Sequence, residues 1–360
     1  MRTIGKRIGR AEDAALLAGT GRFLDDLPAE GALECAFVRS ADAHARVDAI
    51  ETEEARRAPG VVAVYTLADL APHLASERLP LGFAPEQGDR PITPFVLAGR
   101  ETCYVGEAVA VVVAEDRYLA EDAAQLVWVE TTPLPAVADA RAALAPGAPT
   151  VHSDADTNLI RAFGQSYGDI EGAFAGAPHT LSLSLRQHRG GAHPMEGRGV
   201  LARPDPLEDR LTVWSSTQMS HEVRAGLIKL LGLDENRLRV LAPDVGGGFG
   251  AKFLLYPEEV VVALAARLLG RPVKWVEDRR EHFLASIQER EQYWDLEVAF
   301  EADGRVRGLR GHMIHDQGAY TPQGFNLAYN ASTASTGIYV VPALDLSVSV
   351  AETNKVPTIP

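Results

Sequence analysis

Three features that mark common protein classes are scarce in this chain of 360 residues: cysteine, long apolar runs and an excess of basic residues. The two cysteines, Cys35 and Cys103, form no C-x-x-C pair. Disulfide frameworks and ordinary iron–sulfur clusters both need several cysteines, so we expect buried, reduced thiols instead. Apolar runs such as 108–114 and 260–266 are much shorter than the roughly 18 residues that a membrane-spanning helix needs. The sequence therefore predicts neither a disulfide-rich scaffold nor a membrane span.

The charge of the chain is acidic, with 49 Asp and Glu against 35 Lys and Arg and a formal net charge of -14. Nucleic acids and anionic membranes attract basic surfaces, so we expect neither as a partner. The first seven residues are basic, but no apolar stretch or small-residue cleavage site follows them, and no secretory signal is predicted. Together with the reduced thiols, this indicates a cytoplasmic protein.

What the chain does contain is a globular composition, 46% hydrophobic and 23% charged, with 32 Gly and 22 Pro. At about 150 residues per domain, its length predicts two domains. The organisation that we predict is an N-terminal arm over 1–28, an α/β domain over 29–133, an Ala- and Pro-rich linker over 134–150 and a second domain over 151–360.

In the first domain, an almost wholly apolar run over 107–113 is typical of a strand buried on both faces. Five prolines between Pro72 and Pro94 predict an irregular excursion. The β-α-β order of 107–130 indicates an α/β (α+β) fold. Further strands are predicted over 33–38, 61–65 and 127–130, and helices over 49–57 and 115–126.

In the second domain, Ser220 can cap a helix that runs to Leu231 and stops at Gly232. Pro257 is favoured at the first position of a helix that should end at Leu269, before a glycine. Strands are predicted over 181–185, 211–214, 238–241, 273–276 and 294–300.

The most informative segment is a glycine-rich loop between a predicted strand and a predicted helix, Asp244-Val245-Gly246-Gly247-Gly248-Phe249-Gly250-Ala251-Lys252. Four glycines in five positions let the backbone approach a ligand closely and direct successive N–H groups at it. Oxyanions, phosphates and metal-bound oxo groups suit such a loop. A phenylalanine inside it is unusual for a plain turn, because turns favour small polar residues. A tight structural turn is the alternative.

The same loop satisfies the pattern G-x-G-x-x-[GA] of NAD(P)- or nucleotide-dependent dehydrogenases, with Gly246, Gly248 and Ala251. Glu277, at the end of the next predicted strand, would then bind a ribose. The spacing argues against this interpretation, because 31 residues separate Gly246 from Glu277. The dinucleotide fingerprint has about 20 residues between these positions.

Other polar clusters are interpreted as structural. His312 and His315 would share a metal only on a helix, whereas the glycines around them predict a strand or loop. His193 and Glu196 are expected to be structural, although a glutamate near a cofactor could position a loop. The charged run 277–282 predicts a solvated turn with salt bridges. Neither G-x-S-x-G nor H-E-x-x-H occurs, so a serine hydrolase and a zinc protease are unsupported.

Short motifs recur in one order over nearly the whole chain and together carry a family resemblance. In the first domain they are Arg10-x-Glu12-Asp13, Leu17-x-Gly19-x-Gly21-Arg22-Phe23-x-Asp25-Asp26, Phe37-Val38-Arg39-Ser40, Val105-Gly106-Glu107 and Ala120-Glu121-Asp122-Ala123-Ala124. In the second they are His193-Pro194-Met195-Glu196, Ser216-Thr217-Gln218, the glycine-rich loop and Asp316-x-Gly318-Ala319-Tyr320. With these motifs the chain resembles the molybdenum-binding large subunit of the xanthine dehydrogenase and aldehyde oxidase family, nearest its aerobic carbon monoxide dehydrogenase-type branch. The resemblance implies a hammerhead α/β domain followed by the first molybdopterin-binding domain.

The cofactor implied by the resemblance is molybdopterin with molybdenum, usually in the cytosine dinucleotide form in bacteria. Gln218 would lie beside the molybdenum with its amide close to an oxo ligand, and Gly247, Gly248, Phe249 and Gly250 would supply the loop against the metal. No side chain is implied as a direct metal ligand, although Gln218 and Phe249 would be near it. The residues themselves agree, since fixed N–H donors stabilise charge on metal-bound oxygen. The alternative for Gln218 is an exposed glutamine at a helix entry.

Two positions bear on the substrate. Phe253 stands where purine-oxidising members of the family carry a glutamate, and Asn330 falls where they have a substrate-facing arginine. An apolar, uncharged pocket disfavours xanthine and leaves aldehydes, aromatic N-heterocycles or carbon monoxide. The reaction implied by the resemblance is oxidative hydroxylation with water as the oxygen source.

The family's general-base glutamate is expected beyond Pro360, so no catalytic residue is assigned within the chain. We therefore expect a fragment, or one chain of a split subunit. The electrons of the reaction need partners, and the resemblance implies a [2Fe–2S] subunit and an FAD subunit, with or without a second molybdopterin-domain chain, in a dimer of heteromers. A non-catalytic assembly or scaffold subunit is the alternative that is not an enzyme.

Overall fold

Three β-sheets organise the part of the chain that the computed structural model describes, residues 3–82 and 92–360. In chain order their strands are β1 (Leu33–Arg39), β2 (Ala45–Glu51), β3 (Val61–Thr66), β4 (Glu101–Thr102), β5 (Ala108–Ala114), β6 (Trp128–Pro133), β7 (Leu159–Tyr167), β8 (His179–Gln187), β9 (Gly199–Asp205), β10 (Arg210–Ser215), β11 (Leu238–Leu241), β12 (Val273–Val276), β13 (Glu291–Phe300), β14 (Val306–Gly318) and β15 (Leu344–Glu352). The helices are α1 (Asp13–Leu17), α2 (Glu53–Arg56), α3 (Leu67–Leu70), α4 (Arg117–Ala124), α5 (Ala140–Ala143), α6 (Ile170–Ala175), α7 (Ser220–Leu231), α8 (Pro257–Leu269), α9 (Arg279–Ala285) and α10 (Asn326–Thr333). Short 3₁₀ helices occupy Leu24–Asp26, Ala71–His73 and Glu235–Arg237.

A seven-stranded sheet, in the order β11-β10-β9-β12-β1-β5-β3, joins the two halves of the sequence. Most neighbouring strands are antiparallel, whereas β10–β11 and β1–β12 are parallel. The β1–β12 pair places Leu33 opposite Val273 and Glu34 opposite Lys274. Strands of the predicted first and second domains therefore share one continuous hydrogen-bonded sheet.

The two other sheets each belong to one half of the sequence. A three-stranded sheet, β4-β2-β6, comes from the first half, and a five-stranded sheet, β7-β15-β14-β13-β8, comes from the second. Strands β14 and β15 are parallel, and β8 lies at an edge with every residue exposed. The mixed sheets and the helices against them confirm the predicted α/β (α+β) class.

Helices α7 and α8 begin and end close to the residues that the sequence predicts. Pro257 starts α8, and the left-handed Gly270 (φ 64°) follows its last residue. Gly232 (φ 60°) ends α7 in the same way, but the predicted cap is wrong, because Ser220 is already helical and Met219 precedes it. The buried side chains of both helices join β9 and β12 in the largest hydrophobic cluster.

The predicted strands are confirmed with ends shifted by up to three residues, but two expectations for the first half are wrong. Residues 49–51 are not helical, because the alternating segment 45–51 forms β2. Strands β5 and β6 are not neighbours in one sheet: β5 is buried at all seven residues between β1 and β3, whereas the half-exposed β6 pairs with β2. Strands β7, β9 and β15 were not anticipated from the sequence.

The Ala- and Pro-rich segment 134–150 packs against the second half and is not a free tether. It contains α5, in which Ala140 and Ala143 are buried. Val137 N donates to Asn354 Oδ1 at 2.9 Å, and Asn354 N donates back to Val137 O at 2.8 Å. Composition predicts the connection but not the contacts that hold it.

Part of the proline-rich excursion, residues 83–91, lies outside the described residues. At its two described ends, Arg78 and Phe95 form an isolated β-bridge. Among the helices of the described ranges, none has the length and apolar character to cross a membrane.

Candidate functional site

The glycine-rich loop, residues 244–252, lies between β11 and α8. Its backbone is left-handed at Gly247 (φ 99°), Phe249 (φ 52°) and Gly250 (φ 91°). Glycine adopts such angles freely, whereas the same conformation costs an L-residue roughly 1–2 kcal/mol. The Phe249 side chain is 76% exposed, so its own packing does not offset this strain. Strained residues of this kind cluster at ligand-binding sites.

The loop also offers hydrogen-bond donors. Within the described part of the chain, the backbone N–H groups of Gly247, Gly248 and Phe249 have no acceptor. Those on either side are bound, since Gly246 N donates to Glu196 and Gly250 N donates to Gln218. Three consecutive free N–H groups in a loop with left-handed residues make a concave site for an anion or an oxo group.

Gln218 lies against this loop from the segment between β10 and α7. The side-chain oxygen Oε1 of Gln218 accepts from Gly250 N at 3.0 Å and from Lys252 N at 3.3 Å. Its backbone N–H donates to Lys252 O at 2.8 Å. Two N–H donors fix the carbonyl end of the amide, which leaves the NH₂ end as a donor for something else. A Cβ at Gly248 would lie 2.5 Å from the Gln218 carboxamide, so only glycine permits this contact.

Beneath the loop, Glu196 collects four donors. Its Oε2 accepts from Ser216 Oγ (2.6 Å), Gly246 N (2.8 Å) and Lys252 Nζ (2.8 Å), and its Oε1 accepts from Leu24 N at 3.3 Å. Burial would raise the pKa of Glu196, but the hydrogen bonds from Lys252, Ser216 and Gly246 lower it. Burial lowers the pKa of Lys252 despite the opposing effect of Glu196. The Glu196–Lys252 ion pair and the other hydrogen bonds to Glu196 therefore connect the N-terminal arm, the end of β10 and both ends of the loop.

Behind this cluster lies a chain of buried ion pairs. Arg198 pairs with Glu277 and, at 3.2 Å, with Glu258, and Arg39 lies 2.8 Å from Glu258. His282 Nδ1 lies 2.9 Å from Glu277. Burial would raise the pKa of Glu277, but Arg198 and His282 hold it at about 2. These contacts connect β1, α8, β12 and α9 directly below the site.

The structure contradicts the solvated turn expected at Glu277, and it also argues against the role of Glu277 in the dehydrogenase alternative. Glu277 is not part of a solvated turn, because it is buried and fully paired. It is also not free to bind a ribose, because one of its oxygens binds the Arg198 side chain and the other binds Arg198 N and His282. In addition, α8 does not start at the glycine-rich loop but several residues after Lys252. The geometry gives the dinucleotide alternative no support.

The segment 193–196 owes its position to α9. Arg279 Nη2 donates to Pro194 O at 2.6 Å, and the His193 ring lies 4.8 Å from the Phe283 ring. These two contacts place Glu196 against the loop. A positioning role for Glu196 is one that the sequence left open. His312 and His315 lie on strand β14 as expected, and their odd spacing directs the two side chains to opposite faces of the sheet.

A cleft of about 200 Å³ opens beside the loop. Phe249, Gly250 and Ala251 line one side of it, and Gly191, Ile287 and Ile359 contribute elsewhere. The exposed phenylalanine thus stands at the entrance to a small, partly apolar space.

The two predicted substrate residues have different surroundings. Phe253 follows the loop, is partly buried against the Leu254, Tyr256, Ile287 and Ile359 cluster, and accepts a hydrogen bond at its O from Gln323. Asn330 lies exposed on α10 and donates to Asn326 one helical turn earlier. No contact in the described residues links Asn330 to the glycine-rich loop.

Sequence motifs locate Gln218 and the loop, which the structure brings together, but not the residues that support them. Arg198 and Ser216 were not anticipated as supports. The sequence offered one signal for this support: Glu196, Arg198 and Lys252 are charged residues next to apolar strands. Charged side chains in such surroundings are buried only when they are paired.

Known families match both halves of the chain. Residues 151–360 match the molybdopterin cofactor-binding domain, and residues 18–135 match the a/b hammerhead domain of aldehyde oxidase and xanthine dehydrogenase. The chain belongs to the aldehyde oxidase and xanthine dehydrogenase family. The two domain types implied by the motifs are thereby confirmed for this member of the family.

Individual family members resemble the chain over almost all of its length. It is 42% identical to the nicotine 6-hydroxylase large subunit of Paenarthrobacter nicotinovorans over 98% of this chain and 43% of that protein. It is 35% identical to the carbon monoxide dehydrogenase large chain of Afipia carboxidovorans, over 98% of this chain and 44% of the other. The crystal structure of quinoline 2-oxidoreductase from Pseudomonas putida 86 superposes with a TM-score of 0.94 at 36% identity and covers 99% of this chain and 45% of that one. The chain spans less than half the length of these relatives.

The residues at the loop fit the cofactor of this family. Three free N–H groups in succession suit oxygen ligands, and Gly248 leaves the room in which Gln218 approaches the loop. Phe249 holds a strained, exposed conformation that no contact within the described chain requires. Oxygen atoms of such a cofactor would fit against the free N–H groups beside Phe249.

Proposed function

We propose that this chain supplies the cofactor-binding loop of a molybdenum hydroxylase large subunit, which oxidatively hydroxylates a small substrate with water as the oxygen source. The observation that carries the proposal is the row of free N–H groups at Gly247, Gly248 and Phe249 beside the fixed amide of Gln218. Family membership agrees with it.

The residues of this chain have separate parts in that function. When bound, molybdopterin with molybdenum, which we propose in its cytosine dinucleotide form, supplies two-electron oxidation. The free N–H groups of the loop would hold oxygen ligands of the cofactor, and the NH₂ group of Gln218 would donate beside them. Donors fixed before the reaction need no rearrangement when charge develops. No protein side chain is proposed as a direct metal ligand.

Glu196, the partly buried carboxylate at the loop, is poorly suited to act as a general base. It is engaged by four donors, and the hydrogen bonds from Lys252, Ser216 and Gly246 lower its pKa. A base must have a lone pair within reach of the proton that it removes. We therefore do not propose Glu196 as the family's general-base glutamate.

For the substrate we propose an aromatic N-heterocycle in first place and an aldehyde in second. Phe253 packs against an apolar cluster that includes Ile287 and Ile359 of the cleft, and such surroundings would favour a neutral ring over a charged purine. Two relatives are named for N-heterocycles, nicotine 6-hydroxylase at 42% identity and quinoline 2-oxidoreductase at 36%. Asn330 would contact the substrate only in a pocket that extends beyond the loop.

The electrons would leave through partner subunits. We propose an iron–sulfur subunit with [2Fe–2S] clusters and an FAD subunit, arranged as a dimer of heteromers in the cytoplasm. The two buried cysteines of this chain lie far apart in sequence and are unpaired, so they offer no cluster site of their own.

The proposal is tested on the complex purified with its partners. Elemental analysis should find molybdenum, and acid oxidation should release a fluorescent pterin. Gln218→Ala should lower molybdenum content or slow substrate oxidation with a dye acceptor without changing the subunit composition. Gln125→Ala, at an exposed glutamine, serves as the matched control. Wild-type activity and molybdenum content in Gln218→Ala would contradict the assignment.

Molybdenum analysis, pterin fluorescence and NADH binding together distinguish this proposal from the two alternative functions. A nucleotide-dependent dehydrogenase predicts enhanced NADH fluorescence on binding and no molybdenum. A scaffold subunit predicts neither pterin fluorescence nor molybdenum in the purified complex.

A further inference from the structure

A second cluster of ligand-type side chains lies away from the glycine-rich loop, and the proposed function does not use it. Glu101 belongs to β4, Cys103 follows that strand, and His152 comes from the start of the second half of the chain. The Cys103 sulfur, a His152 ring nitrogen and a Glu101 carboxylate oxygen all lie within 4.8 Å of one another. Cys103 and His152 are buried, and Glu101 is partly accessible.

The spacing of the two best ligands matches a tetrahedral metal site. Cys103 Sγ lies 3.4 Å from His152 Nδ1. In a tetrahedral zinc site, with Zn–S near 2.3 Å and Zn–N near 2.0–2.1 Å, the sulfur and nitrogen are about 3.5 Å apart. The Glu101 oxygen lies within 4.8 Å of the other two ligand atoms, so it would have to move by no more than about 1.5 Å to reach the spacing of a tetrahedral site.

The histidine is oriented as a ligand would be. His152 Nε2 lies 2.7 Å from Ala319 O, which can only accept, so Nε2 carries the proton. The lone pair is therefore on Nδ1, which faces Cys103. Metal-binding histidines are held in this way, with the remote ring nitrogen donating to a backbone carbonyl.

The glutamate is oriented as well. Ser153 N donates to Glu101 Oε1 at 3.0 Å, and His44 Nε2 lies 2.8 Å from the same oxygen. His44 is itself fixed by Pro135 O at 2.7 Å from its Nδ1. Hydrogen bonds of this kind hold a carboxylate ligand in place before the metal arrives.

The thiol needs a cation to ionise. Burial, together with Glu107 and Glu101, raises the pKa of Cys103 well above its ordinary value. A coordinated divalent cation reverses this preference, because the metal replaces the thiol proton.

We propose that Cys103, His152 and Glu101 form a site for a borderline-soft divalent cation of the zinc class, with water as the fourth ligand. Sulfur and imidazole ligands favour zinc over magnesium or calcium, which prefer all-oxygen sites. Because Glu101 and Cys103 precede the segment 134–150 and His152 follows it, the ion would fasten the two halves of the chain together.

The test uses Co²⁺ as a spectroscopic probe on the purified chain after dialysis against a chelator. We expect one Co²⁺ per chain, with thiolate-to-cobalt charge-transfer absorption in the near ultraviolet, and displacement of that absorption by Zn²⁺. Cys103→Ser should abolish the absorption and weaken Zn²⁺ binding by more than about tenfold. Removing a residue that only orients a metal ligand already weakens binding by about tenfold, and Cys103 would be a ligand itself. Cys35→Ser, at the other buried cysteine, should behave as the wild type.

Circular dichroism and the urea midpoint of each variant establish that it is folded. His152→Gln, which removes the nitrogen ligand and keeps the thiol, should lower Zn²⁺ affinity and shift the charge-transfer absorption. If the folded wild-type chain shows no charge-transfer absorption with Co²⁺, or if Cys103→Ser retains it, the cluster is a hydrogen-bonded group and the proposal is wrong.

Discussion

Glu196→Gln is the substitution that most directly tests how the glycine-rich loop is held. Lys252, its partner, has a completely buried side chain, and Glu196 is only 17% exposed. Removing one partner of a buried ion pair costs about 3–5 kcal/mol, because the other charge is left uncompensated. Glutamine keeps one acceptor for Gly246 or Ser216, so we expect the low end, a loss of about 3 kcal/mol in the free energy of unfolding.

The assay is urea unfolding followed by tryptophan fluorescence, with Trp214 on β10 and Trp275 on β12 as nearby reporters. Lys252→Met removes the buried charge and keeps the length of the side chain. The stability losses of the two single variants should therefore not add. The double variant should be more stable than their sum predicts, with a coupling free energy of at least about 1 kcal/mol. Glu54→Gln, at an exposed glutamate, should change stability by no more than about 0.5 kcal/mol. A loss below about 1 kcal/mol for Glu196→Gln together with additive single effects would refute this account of the loop.

Four further outcomes are expected. Burial raises the pKa of Glu107 and of Glu259 to about 7. Between about pH 4.5 and 7 the folded chain keeps protons that the unfolded chain releases, so the urea midpoint should fall across this range, and Glu259→Gln should flatten that decline. Glu277 acts in the opposite direction: its pKa of about 2 stabilises the fold above pH 4.5, and this contribution, about 3 kcal/mol, should disappear in acid unfolding as the pH falls towards 2. Gly248→Ala would place a Cβ 2.5 Å from the Gln218 carboxamide, so the complex should contain less molybdenum by elemental analysis while its subunits still assemble. Phe249→Gly removes a strained φ of 52°, so the urea midpoint should stay unchanged or rise, whereas molybdenum content or turnover should fall; a clear loss of stability would show that Phe249 is not strained.

Local sequence patterns were sufficient for elements whose limits are set by their own residues. Proline at the start of α8 and left-handed glycines after α7 and α8 fix those helices, and uninterrupted burial identifies β5. Strand β2 was misread because its second half has helix-forming residues, and only pairing with β6 makes it extended. Sheet neighbours such as β1 and β12 depend on contacts between distant segments, which periodicity does not contain.

The candidate site divides in the same way. Glycines in succession and a phenylalanine among them indicated the loop, and the motif order indicated Gln218. The orientation of the Gln218 amide required the structure, because it depends on which two N–H groups lie against Oε1. The support from Glu196, Lys252 and Ser216 required it too, since buried ion pairs join residues that no local pattern connects.

The parallel pairing of β1 with β12 has a consequence for the synthesis of the protein. Strand β1 can pair with β5 early, but its other edge has no partner until β12 emerges some two hundred residues later. At translation rates of about 5–20 residues per second, that interval is on the order of ten to fifty seconds. Throughout it, the nascent chain presents an open strand edge beside apolar residues, the surface through which chains aggregate. We therefore expect the first half of the chain to need protection from aggregation during synthesis until the central sheet is complete.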